Sequence, residues 1–152
     1  MVRSAPVTVR IPAIGVRSEL MGLGLEDDGS LEVPPGAFPA GWYTGAPTPG
    51  ETGPAIIAGH VHWNGELGVF YRLSSLHPED RIVIDRANGS RAVFQVTRVK
   101  DFAKTAFPTD VVYGNIDHAG LRLITCGGLD EQAGTYEDNT VVFADLVAAR
   151  KM

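Results

Sequence analysis

Apolar positions along this 152-residue chain recur mostly with a period of two. Val7, Val9 and Ile11 alternate with Thr8 and Arg10, the pattern of a half-buried strand. Ser30 to Val33 is a short strand-like run that stops at Pro34-Pro35. Pro54 to His60 is a continuous apolar run and reads as a buried strand ending on a histidine. Ile82 and Ile84 alternate with Val83 and Asp85 between Arg81 and Arg86. Asn88-Gly89 follows, a two-residue hairpin signal because both central positions need φ > 0, and Arg91 to Asp101 is the return strand. Leu121 to Cys126 and Thr140 to Leu146 supply two more strands.

Helical spacing is scarce. Val69, Leu73 and Leu76 share one face of the segment from Leu67 to Leu76, which predicts one or two turns of helix. The stretch from Pro34 to Gly53 holds five prolines and five glycines and reads as an extended surface connection, anchored by Trp42 and Tyr43. The 18 glycines and 10 prolines are spread along the chain, so it is loop-rich throughout. About eight short strands with little helix predict an all-β single domain over residues 1–152, a closed barrel or a sandwich.

Composition removes several function classes. The net charge is −5 and no Lys/Arg run occurs, which argues against nucleic-acid binding. No apolar stretch reaches the ~18–20 residues of a membrane helix. The first six residues lack the pattern of a signal peptide, so the chain reads as soluble in itself. A single cysteine excludes an internal disulfide and a Cys-rich zinc site.

That cysteine is also the first candidate for chemistry. Cys126 ends an apolar strand and precedes Gly127-Gly128, a context that lets a substrate backbone approach closely. The alternative is a small buried hydrophobe. His60 likewise ends a buried strand, where an imidazole helps deprotonate a thiol or merely caps the strand. His62 shares a strand face with His60 at metal-ligand spacing, yet a zinc site needs a further ligand, and His77 and His118 lie in unrelated polar loops. His62 otherwise reads as a residue at a site rim. The loop from Gly127 to Asp138 is long for a strand connection, as substrate-binding loops often are. Asp27-Asp28-Gly29 and Glu131-Gln132 read as solvated turns, with no EF-hand pattern of calcium ligands.

Taken together, these motifs resemble the sortases, cysteine transpeptidases of Gram-positive cell surfaces. Leu123-Ile124-Thr125-Cys126 resembles the Thr-Cys signature, and Ala58-Gly59-His60 the motif carrying the family histidine. Gly68 to Leu76 with Glu79-Asp80, Phe107-Pro108-Thr109, and Tyr136 to Ala144 resemble the spacer, the stretch before the cysteine strand and the final strand. Val7 to Pro12 and Gly41-Trp42-Tyr43 extend the likeness to nearly the whole chain. The Cys126-Gly127-Gly128 context is most similar to the class F group of actinobacteria and their relatives.

The resemblance implies a closed eight-stranded β-barrel with a groove on one face, one or two short helices and long loops. It implies a monomeric enzyme without a cofactor on the extracellular face of the membrane, its anchor lying upstream of these residues. Its partners would be a Leu-Pro-X-Thr-Gly-like sorting signal and an amine of a peptidoglycan precursor. Cys126 would be the nucleophile and His60 the acid and base. Thr125 would position the cysteine beside the substrate, over a groove floor near Ile57, Phe107 and Ile124.

One departure stands out. The family's arginine on the last strand is replaced here by Asn139, and Glu137 is not an arginine either. Asn139 would then donate a neutral hydrogen bond to the oxyanion. Otherwise Arg122, four residues from Cys126 or about 13 Å along the strand, turns inward. Two other functions compete: a sortase-fold protein that binds or hydrolyses the sorting signal with little or no transpeptidation, and a metal-dependent enzyme using His60 and His62.

Overall fold

The alternating runs fold as strands of a single closed barrel in the computed structural model, which describes residues 1–103, 109–126, 129–130, 135–136 and 139–151. In chain order the strands are β1 (Pro6–Ile11), β2 (Val16–Leu23), β3 (Ala40–Tyr43), β4 (Gly53–His60), β5 (His62–Trp63), β6 (Glu66–Leu67), β7 (Arg81–Arg86) and β8 (Ser90–Phe102). A short helix α1 (Thr109–Tyr113) follows, then β9 (Ala119–Cys126), β10 (Leu129–Asp130), β11 (Thr135–Tyr136) and β12 (Asn139–Lys151). Eight strands close the barrel in the order β1-β2-β3-β4-β9-β12-β8-β7, with β7 pairing back onto β1. The expected closed eight-stranded architecture is the one observed, with two lone 3-10 turns beside the helix.

Two neighbouring pairs are parallel, β2 with β3 and β4 with β9. Parallel neighbours need long crossovers, and the one from β4 to β9 contains two further barrel strands, β7 and β8. Residues 24–39 link β2 to β3, and residues 61–118 link β4 to β9. Leu25, Leu31 and Val33 of the first connection and His62, Trp63, Thr109 and Tyr113 of the second line one groove.

Odd-numbered residues of β4 and β9 face inward. Ile57, Leu121 and Leu123 are fully buried with Val9, Ile82, Ile84 and Phe94 in the barrel core. Burying each such side chain contributes about 1.5–3 kcal/mol. Even-numbered residues face outward, where Ile56, Ile124, Val141 and Phe143 form a second apolar cluster with Val112 of α1. Leu31, Tyr43 and Tyr113 pack against that cluster and build the groove walls.

Several local expectations change. Ser30 to Val33 is not a strand; Leu31 makes one isolated bridge to Leu25 across a tight turn. The strand β2 was hidden because its central inward residue is Ser18, buried with its hydroxyl donating to Glu19 O and accepting from Ala40 N. Within the supposed surface connection, Ala40–Tyr43 is a barrel strand. The segment Leu67 to Leu76 makes only a 3-10 turn at Leu73–Ser75, because Gly68 N and Phe70 N bond to Val61 O and His60 O instead of forming a helix. Val69, Leu73 and Leu76 are nevertheless all buried. At Asn88-Gly89 only Gly89 has positive φ, so the β7–β8 hairpin closes through residues 87–89. The two-residue turn with positive φ at both positions is Asn64-Gly65, between β5 and β6.

Candidate active site

The site begins with strand register. β4 and β9 run parallel, and His60 and Cys126 are Cα partners at their C-terminal ends. Paired positions share a face of the sheet, and neighbouring strands lie about 4.8 Å apart. β12 runs antiparallel on the other side of β9, with Val141 opposite Ile124. The ladder ends there, and continuing its register by two residues, past the Thr140 N–H to Thr125 hydroxyl bond, sets Asn139 level with Cys126. The backbones of His60, Cys126 and Asn139 therefore form one row across three adjacent strands.

His60 is held from several directions. It is only 6% exposed. Its Nε2 lies 2.7 Å from the carbonyl oxygen of Pro34. The Trp63 ring tilts over the imidazole at 43°, with centroids 4.7 Å apart. Its own carbonyl accepts from Phe70 N at 3.0 Å. Gly68 passes so close that a Cβ there would sit 2.0 Å from that carbonyl oxygen.

Thr125 is 2% exposed at the edge of the groove. Its hydroxyl accepts from Thr140 N at 2.8 Å, tying the start of β12 to the end of β9. Thr140 in turn donates to Asp101 on β8 at 2.6 Å. These bonds set where Asn139 lies relative to Cys126.

Above the row lies a groove of about 790 Å³. Its floor is Ala58 and Ile124. One wall is the turn carrying Leu25, Leu31 and Val33, and the other is Thr109 and Tyr113 of α1. Trp63 and His62 flank the His60 end. The wall turn is internally braced, since Gly24 N donates to Glu32 Oε1 at 2.5 Å and Glu32 N to Gly24 O at 2.9 Å. Among the described lining residues none is lysine or arginine.

The structure thus gathers His60, Ile124, Thr125 and Asn139 around the groove and sets Cys126 in register with them. Ile57 is a correction: inward parity places it in the barrel core, and Ala58 takes the floor position. Phe107, and Glu131-Gln132 with most of the loop from Gly127 to Asp138, lie outside the described residues. Arg122 does not turn into the groove. It is buried against the Phe143 ring at 4.8 Å, with Arg98 4.1 Å from the same ring. Burial pushes the Arg122 guanidinium below its ordinary range. His62 is exposed on the groove rim, and among the described residues no group of three or more His, Cys, Asp or Glu could hold a metal. His77 and His118 sit elsewhere, each beside an aspartate. The acidic turn at Asp28 is an Asx-turn, its carboxylate accepting from Ser30 N at 2.9 Å.

The wall residues Leu25 and Val33, the Pro34 carbonyl and Trp63 had no functional reading in the sequence. Asn64-Gly65, a hairpin signal directly after Trp63, was the available hint.

Comparison with known proteins fits this geometry. A family model described as the Sortase domain matches residues 9–147. No curated protein matches the chain. Among solved structures, the fold is similar to a Clostridium perfringens sortase D5 transpeptidase, at 23% identity over 95% of this chain and 79% of that one, with a TM-score of 0.67. It is similar to Listeria monocytogenes sortase A, at 19% identity over 99% and 92% with a TM-score of 0.71. Sortase E1 from Streptomyces coelicolor, solved with a tripeptide in its active site, matches at 17% identity over 98% and 91% with a TM-score of 0.72. At these identities the likeness is one of fold.

Proposed function

The chain belongs to the sortase domain family and is a sortase enzyme, and on that premise we propose that it is a class F-like cysteine transpeptidase acting on Leu-Pro-X-Thr-Gly-like sorting signals. The observation that carries the reading is the row of His60, Cys126 and Asn139 at the ends of β4, β9 and β12, beneath an apolar groove. A peptide in extended form fits along such a groove, with its carbonyl over the row.

In this mechanism the Cys126 thiolate attacks the carbonyl carbon after Thr and forms a C–S bond. The carbonyl π electrons move onto oxygen, where Asn139 donates a neutral hydrogen bond. The C=O re-forms, the C–N bond breaks, and the departing glycine nitrogen takes a proton from the His60 imidazolium. A peptidoglycan-precursor amine then attacks the thioester carbon, a new C–N bond forms as the C–S bond breaks and the Cys126 thiolate leaves, and His60 accepts the amine's proton. Water in place of the amine gives hydrolysis. The reaction takes place on the extracellular face of the membrane, as a monomer.

Incubation with a Leu-Pro-X-Thr-Gly peptide tests the reading. The expected result is an acyl adduct on Cys126 by intact mass, discharged by hydroxylamine. Absence of any adduct and of cleavage with every amine offered would overturn it. A second reading has its own support: without lysine or arginine among the described groove residues, the site loses a charged oxyanion donor worth about 3–4 kcal/mol. A protein that binds the peptide yet turns it over poorly or only hydrolyses it fits that loss. Peptide binding without adduct, or an adduct discharged only by water whatever amine is offered, would establish this second reading.

A further inference from the structure

We propose that the Pro34 carbonyl and the Trp63 ring hold neutral His60 as the Nε2–H tautomer, making Nδ1 the atom that gives and takes the catalytic proton and Trp63 a positioning residue. The inference rests on the transpeptidase reading for its proton-transfer step, but the tautomer itself is a property of the free protein.

The chemistry follows from the acceptor. A carbonyl oxygen carries no proton, so a 2.7 Å contact between it and a ring nitrogen requires that nitrogen to donate. Nε2 therefore keeps its hydrogen in both the charged and the neutral ring. The lone pair of the neutral ring is then on Nδ1. A histidine in a buried site usually has its tautomer set by the bond its other nitrogen makes. Here that bond comes from the main chain, which neither titrates nor rotates away as a carboxylate side chain does.

The acceptor is well fixed. Pro34 is buried, and the chain beyond it is tied down by Val69 N donating to Ala37 O at 3.0 Å. The opposite constraint is Trp63. Its ring lies against the imidazole, 4.7 Å between centroids, and limits rotation about the Cβ–Cγ bond. Trp63 is held in turn by the β5–β6 hairpin, whose Asn64-Gly65 turn has φ values of 48° and 79°. The ring thus sits between a backbone acceptor and an aromatic face.

The proton balance is complete with these groups alone. As the C–N bond of the tetrahedral intermediate breaks, the leaving nitrogen takes the proton from Nδ1, and the ring becomes the neutral Nε2–H form without any rearrangement. When an amine attacks the thioester, Nδ1 accepts its proton and the imidazolium returns. Pro34 directly follows Val33 of the groove wall, so one segment contacts the ring and lines the substrate channel.

Long-range 1H–15N NMR of histidine-labelled protein tests this. At a pH where His60 is neutral, the wild type should show a protonated Nε2 and a lone-pair Nδ1. Trp63→Ala should give a mixed tautomer signature, with kcat on the sorting peptide lower by about 10- to 100-fold and KM little changed. Trp63→Phe, which restores an aromatic face, should return both toward wild type. A wild-type ring protonated on Nδ1 overturns the proposal, as does a Trp63→Ala protein with wild-type signature and kcat. If Trp63→Ala does not fold, the wild-type signature decides alone. A wild type that shows the Nε2–H signature yet never turns over the peptide sinks the transpeptidase reading while leaving the tautomer assignment intact.

Discussion

The hydroxyl of Thr125 accepts a 2.8 Å hydrogen bond from the backbone N–H of Thr140, one residue away from Cys126 on one strand and one residue away from Asn139 on the other. It closes the β9–β12 pairing beyond the last ladder pair, Val141 with Ile124. Thr125→Val keeps the shape but removes the acceptor and leaves a buried N–H unsatisfied. The expected loss is about 1–3 kcal/mol in denaturant unfolding. Activity should fall as well, because Asn139 is no longer fixed relative to Cys126. Thr125→Ser should retain most of both. Equal stability of the valine and serine variants would show that the bond does not hold the two strands together.

Asn139 is the position that separates the two functional readings. Under the transpeptidase reading, Asn139→Ala should lower kcat by about 10²-fold with little change in KM, the signature of a lost transition-state donor. Asn139→Arg should exceed Asn139→Ala, because a cation at this place on β12 again faces the developing oxyanion. Steady-state kinetics on a single peptide make the comparison. If alanine and arginine variants both match the wild type, Asn139 has no part in the oxyanion site.

The strands that carry this row were legible because Pro54 to His60 and Leu121 to Cys126 are apolar runs ending in chemically capable residues. Their facing was not. Every residue of β4 is buried, since the core covers one side and the groove cluster the other, so no alternation marks inside from outside. The sequence by itself therefore does not distinguish Ile57 from Ala58 as a floor residue. The core cluster that takes Ile57 and the groove that takes Ala58 and His60 resolve the parity. The contacts around the imidazole were illegible for another reason. Pro34 and Gly68 reach His60 through turns 26 and 8 residues distant, and neither turn has a periodic pattern. The helix α1 was missed because Val111-Val112 is β-branched, and burial of Val112 against Ile56 and Ile124 overrides that propensity.

Gly68 illustrates a close approach that no side chain tolerates. A Cβ would lie 2.0 Å from His60 O and 3.1 Å from His60 Cβ. Both are parts of the strand end that carries the histidine, so the clash is not relieved by a flexible side chain. Gly68→Ala should destabilise the fold by about 1–3 kcal/mol, as overpacking does. It should also lower activity more than an equally destabilising change in the barrel core, such as Ile84→Val. Measuring residual activity against melting temperature for the two variants separates displacement of His60 from general loss of stability. If both fall on one line, Gly68 acts only through the fold.

His118 predicts a pH dependence that is independent of the active site. Its Nδ1 donates to Asp117 at 3.0 Å and its Nε2 to Asp145 at 2.9 Å, bridging the start of β9 to β12. The bond to Asp117, and next the bond to Asp145, raise its pKa above the ordinary histidine value. A folded pKa above the unfolded one means that the protonated ring stabilises the native state. That contribution is fully present below the unfolded value of about 6.5 and is lost as pH rises through the higher folded value. The side chain is 50% exposed and Asp117 wholly so, so solvent screening keeps the gain well under about 1 kcal/mol. Melting temperatures of the wild type and His118→Asn should therefore differ near about pH 5.5 and converge above about pH 8.5. The direction is the informative part: burial of a neutral histidine would produce the opposite trend, with the wild type gaining over the variant as pH rises. A difference that is constant across the range would mean that the two aspartates hold His118 by geometry without coupling its charge to folding.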